Sequence, residues 1–136
     1  MPGPRVFEIS EVQGLVPELE RIFAELDVLR GRMRSIKLRI NALEMIWGDG
    51  VHRPENPDHA ELQHHVHEMA SLQHEFERAT QRIAGLGGEV KGLEPGLVDF
   101  YGVRSGRLVF WCWTRGEERV DHWHHVDEGF AGRQQV

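Results

Sequence analysis

The sequence predicts an α+β fold: a long antiparallel two-helix hairpin, coiled-coil-like, followed by a small three-stranded antiparallel β-meander. Three observations carry this. A seam of apolar residues in steps of three and four runs from Val12 to Trp47. A second such seam runs from Leu62 to Leu86. Composition then switches: ten of the 15 glycines lie at or after Gly85, and seven of the 11 aromatic rings lie within residues 98–136. The 136 residues amount to one domain's worth of chain, and no internal repeat divides them.

The first helix is expected over residues 10–48. Its seam is Val12, Leu15, Leu19, Ile22, Leu26, Leu29, Met33, Ile36, Ile40, Leu43 and Trp47. Ser10 is the expected N-cap, with Gln13 as its capping-box partner. Pro17 falls in the opening turns, where proline is best tolerated or introduces a kink. Gly48-Asp49-Gly50 ends the helix. The second helix is expected over residues 56–86, with Asn56 as N-cap, Pro57 in the first turn and Gly87-Gly88 as the stop. Its seam is Leu62, His65, Met69, Leu72, Phe76, Ala79, Ile83 and Leu86. A connection of about nine residues favours antiparallel packing. Charge agrees: Glu18, Glu20, Glu25 and Asp27 precede Arg30, Arg32, Arg34, Lys37 and Arg39, so a reversed partner sets Glu68, Glu75 and Glu77 beside the basic half. So long a seam predicts a second copy of the chain, a homodimer with a four-helix core.

The meander is expected over residues 97–125, with a tail over 126–136. Strands over 97–102, 108–114 and 119–125 are joined by turns at Arg104-Ser105-Gly106-Arg107 and Arg115-Gly116-Glu117-Glu118. With two central residues in each turn, Asp99, Cys112 and Asp121 form one row across the sheet. Tyr101, Phe110 and Trp123 form the next row on that face, and Phe100, Trp111 and His122 a row on the other.

Charge narrows the function. With 16 Lys and Arg against 22 Asp and Glu, the net charge of −6 disfavours binding to nucleic acid or to an anionic membrane. No apolar run approaches the roughly 20 residues of a membrane span, and the opening MPGPRVFEIS lacks the apolar core of a signal peptide. A cytoplasmic location is therefore expected. The single cysteine, Cys112, rules out an internal disulfide.

Nine histidines are many for this length. His122 and His124, two apart on a strand, share a face and are candidate metal ligands, with Glu117 of the preceding turn as a third. Zinc, iron or manganese would suit such a site. Cys112 is placed on the opposite face by the expected register. Carboxylates beside it would raise its pKa, which opposes a cysteine nucleophile. Arg133 and Trp123 are candidates for an anion or ligand pocket, although Arg133 has Glu117 or Asp99 as an alternative partner. His65 occupies a seam position and is expected to be partly buried. Glu61 and His64 have the Glu-x-x-His spacing of di-iron bundles, but the heptad phase turns His64 away from the seam.

The segments Gly96-Leu97-Val98-Asp99-Phe100, Cys112-Trp113, Gly116-Glu117, Trp123-His124 and Gly129-Phe130-Ala131-Gly132-Arg133 form an ordered motif. With Leu15-Val16-Pro17-Glu18-Leu19 opening a long heptad helix, it resembles the bacterial family catalogued as domain of unknown function 2203. The resemblance covers nearly the whole chain. It implies a bacterial, cytoplasmic protein and brings no activity with it. The residues themselves favour a non-enzymatic, dimeric interaction or scaffold protein. The alternative is a metal-binding protein or metalloenzyme with its site at the C-terminal sheet.

Overall fold

The computed structural model describes residues 4–136. Two α-helices, α1 (Ile9–Trp47) and α2 (His59–Gly85), precede a five-stranded antiparallel sheet. Its strands are β1 (Glu89–Leu93), β2 (Gly96–Arg104), β3 (Arg107–Thr114), β4 (His122–His125) and β5 (Gln134–Gln135), in that order across the sheet. The class is α+β, as expected, but the sheet has two strands more than the sequence suggested. Both additions are edge strands without an apolar signature. β1 is interrupted by an irregularity between Val90 and Gly92, and β5 is two exposed glutamines. The chain forms two compact units, one of residues up to Ala24 together with Thr80–Val136, the other of Glu25–Ala79.

In the Glu25–Ala79 unit the two seams close on each other. Leu29 and Ile36 pack with Leu72, Met69 and Phe76, while Leu43 packs with Leu62 and Val51. Early positions of α1 in this unit thus meet late positions of α2, and the helices run in opposite directions. A short 3-10 turn, Gly48–His52, follows α1. The start of α2 falls three residues later than predicted, because Asn56 Oδ1 accepts the Asp58 N–H in a local turn before the helix.

In the other unit, Phe7, Val12, Leu19, Ile22, Phe23 and Ile83 are buried, as are Val98, Phe100 and Trp113 of the sheet. The start of α1 is capped by Glu11, whose carboxylate accepts the Glu8 N–H, rather than by Ser10 and Gln13. Gln13 reaches the segment after β3 instead. Its Nε2 donates to the Glu118 carbonyl at 2.6 Å and its Oε1 accepts the Val120 N–H at 2.7 Å. Gly102 is dictated by a close approach: a Cβ there would run into the Trp111 indole, which donates to the Phe7 carbonyl.

The first hairpin has the expected register, pairing Asp99 with Cys112 and Phe100 with Trp111. Its turn places Ser105 and Gly106 at positive φ, as a two-residue hairpin loop requires. The second connection is longer than a tight turn. Residues 117–120 are bound to Trp113, Thr114 and Gln13, so pairing resumes only at His122. β4 is therefore shifted by one residue: Cys112 faces His122 rather than Asp121, Phe110 faces His124, and Trp111 faces Trp123. Because side chains alternate, this slip moves His122 and His124 onto the face of Asp99 and Cys112, and Trp123 to the other face.

Candidate functional site

β2, β3 and β4 together present Asp99, Cys112 and His124, all buried. One donor atom from each lies within 4.8 Å of the others. His124 Nε2 is 2.9 Å from Asp99 Oδ2, and His124 Nδ1 is 2.8 Å from the carbonyl oxygen of His125. A carbonyl only accepts, so Nδ1 carries a hydrogen. Nε2 then shares one proton with Asp99. Either an imidazolium faces a carboxylate, or a neutral imidazole accepts from a carboxylic acid. Burial pushes the Asp99 carboxyl above its ordinary range, against the opposing pull of His124. Burial, and next the charge of Asp99, push the Cys112 thiol up to about 12. The direction expected for a thiol among carboxylates is thus met, and desolvation is its largest cause.

These three side chains line a cavity of about 330 Å³. Leu97, Phe110, Val126 and Phe130 supply apolar wall, and Lys91 and Glu128 supply charge. Lys91 Nζ sits 4.9 Å from the centre of the Phe110 ring.

A second group on the same face joins Glu117, Asp121 and His122, all half-buried. His122 Nδ1 is 2.7 Å from Asp121 Oδ1 and 3.7 Å from Glu117 Oε2. The first contact is short but poorly directed, leaving Nδ1 without a hydrogen bond. Glu117 is engaged elsewhere. Arg133 Nη2 donates to both of its carboxylate oxygens at 2.9 Å, and the Thr114 N–H donates to Oε1 at 2.7 Å.

The predicted metal set therefore divides. Glu117 and His122 lie in one group, and His124 lies in the other with Asp99 and Cys112. Cys112 keeps its expected place beside Asp99; it is His122 and His124 that change face, because the second connection is one residue longer than a tight turn. Arg133 is committed to Glu117, so it does not form a ligand pocket with Trp123. Trp123 instead borders a cavity with Arg104, Arg107 and His125 on the opposite face. The expected register already sets Asp99 beside Cys112; the one-residue shift of β4 brings His124 to them.

Residues 5–136 match the family described as "Uncharacterized conserved protein (DUF2203)". The chain belongs to this family. No curated protein and no solved structure matches it. The family description assigns no activity, so function rests on the geometry of the sheet. No helix among the described residues is long and apolar enough to cross a membrane.

Proposed function

We propose that the protein binds a divalent transition metal through Asp99, Cys112 and His124. The observation that carries this reading is the pair of contacts on His124. Its Nδ1–H is held by a backbone carbonyl, which directs Nε2 toward Asp99 and Cys112. Metal-ligating histidines are characteristically fixed in this way, with the second ring nitrogen donating to a carbonyl or carboxylate. One sulfur, one nitrogen and one carboxylate oxygen suit zinc better than manganese. Ligand atoms in a tetrahedral zinc site stand about 3.3 Å apart. To admit the ion the 2.9 Å contact between Nε2 and Oδ2 would open by a few tenths of an ångström, and two protons would leave to solvent, the one shared by His124 and Asp99 and that of the Cys112 thiol. Three protein ligands would leave a coordination position free, and all three side chains line the 330 Å³ cavity. A metal there supplies Lewis acidity to a bound small molecule, and hydrolysis is the reaction class that this favours. Leu97, Phe110 and Phe130 would give the molecule an apolar wall, and Lys91, 3.3 Å from Glu89, would offer a charge for an anionic group.

Titrating the metal-free full chain with cobalt tests this. A thiolate-to-cobalt charge-transfer band in the near ultraviolet is expected. It should vanish in Cys112→Ala and persist in Glu117→Gln. A chain that gives no such band, or a band unchanged in Cys112→Ala, contradicts the assignment.

A second reading, a self-associating scaffold, is favoured by the outer face of α1. The seam residues from Val12 to Leu43 are buried or half-buried within the chain, but Val28, Gly31, Ser35, Leu38, Ala42 and Met45 form another stripe in steps of three and four, and all are exposed. Glu25 and Asp27 flank its start, while Arg32, Arg34, Lys37 and Arg39 lie farther along. Antiparallel pairing with a second copy sets opposite charges against each other, whereas parallel pairing opposes like charges. Sedimentation velocity over a range of concentrations should show a dimer, and Leu38→Glu should give monomer. A monomer at every concentration removes this reading without touching the metal site.

A further inference from the structure

The tip of the β2–β3 hairpin is charged in a way that folding does not explain. Arg104 and Arg107 are directly paired across the two strands. Like charges in such a pair destabilise a hairpin. The chain is acidic, yet among the described residues neither guanidinium has a carboxylate partner, in contrast to Arg21, Arg30 and Arg133. The two arginines line a cavity of about 210 Å³ with Ser105, Val109, Trp123 and His125. The Arg104 guanidinium lies over the Trp123 ring at 4.7 Å, which fixes its plane and leaves its edge for hydrogen bonding. The Trp123 indole Nε1–H is buried and has no acceptor. The His125 ring meets Trp123 edge-on at 5.0 Å, and its Nε2 is 3.9 Å from Glu128, beyond hydrogen-bond range. The lining is thus rich in donors and contains no carboxylate.

We infer that this cavity binds a small oxyanion, the phosphate group of a small molecule or free phosphate, held by Arg104 and Arg107. Guanidinium forks match phosphate oxygens two at a time. A bound anion also offsets the repulsion between the two arginines. The volume of about 210 Å³ falls below the usual range for drug-sized ligands, so the group attached to the phosphate is small. The site is independent of the metal reading. Its side chains lie on the sheet face opposite Asp99, Cys112 and His124.

The test follows the Trp123 indole N–H signal by nuclear magnetic resonance, at constant ionic strength. The full chain is titrated with inorganic phosphate, with glycerol phosphate and with chloride. A saturable shift with either phosphate and none with chloride supports the site. Tighter binding of glycerol phosphate identifies an ester as the ligand, and tighter binding of inorganic phosphate identifies the free ion. Arg107→Ala, at an exposed position that folding tolerates, should weaken binding by about tenfold or more. Arg104→Ala should do the same, with Arg104→Lys intermediate and Arg119→Ala unchanged. Absence of a saturable shift, an equal shift with chloride, or unchanged affinity in Arg107→Ala overturns the inference.

Discussion

His65 and His124 are buried to nearly the same degree, at 4% and 2% exposure, yet their surroundings differ in kind. His65 sits on the α2 seam with neither ring nitrogen hydrogen-bonded, and its nearest carboxylate, Glu61, is 3.7 Å away. His124 has a hydrogen-bond partner on each nitrogen and a thiol within reach. A buried histidine without partners costs stability and directs no ligand. One whose tautomer is fixed by a carbonyl, and whose other nitrogen meets a carboxylate and a thiol, is built to hold something. Burial alone therefore does not separate a site from a core; the accounting of donors and acceptors does.

The largest effect should come from breaking the better-partnered histidine. His124→Ala leaves Asp99 buried without its partner and should lower the unfolding free energy by about 3–5 kcal/mol, measured by urea denaturation of the metal-free chain. A loss below 1 kcal/mol would mean that the Asp99 pair has no special standing. The Cys112 thiol, pushed up to about 12, should react with iodoacetamide about a thousandfold more slowly at pH 8 in the folded metal-free chain than in urea. Equal rates would show that the thiol is neither protonated nor sequestered.

His65→Leu should act in the opposite direction from His124→Ala. Replacing an unpartnered imidazole with an apolar side chain should raise stability by about 1–3 kcal/mol in the same denaturation experiment. Comparable losses in the two variants would erase the contrast between the histidines. The smallest effect concerns the device that sets the register of β4. Gln13→Ala removes both hydrogen bonds to residues 118 and 120 and should cost about 1 kcal/mol, with faster amide exchange at Val120. Unchanged exchange would shift the cause of the long connection to Trp113 and Glu117.

The helices were legible because their information is local and periodic. Every predicted α2 seam position is buried or half-buried, His65 included. The Arg104-Ser105-Gly106-Arg107 turn was legible too, since its two central residues adopt the positive φ that Ser-Gly suggests. The register of β4 was not. It depends on Gln13, more than 100 positions away in sequence, holding the backbone at 118 and 120. One extra residue in that connection exchanged the faces of the strand and hid the association of His124 with Cys112. The edge strands were missed for a different reason. Glu89–Leu93 carries no clean alternation, and Gln134–Gln135 is too short to have one.

Asp99, Cys112 and His124 are proposed to hold one metal ion per chain. Elemental analysis by mass spectrometry, on untagged full-length chain purified without chelator, measures it directly beside His124→Ala and Cys112→Ser. About one zinc per chain is expected in the parent protein and almost none in either variant. No metal in any of the three proteins, or equal metal in all of them, would contradict it.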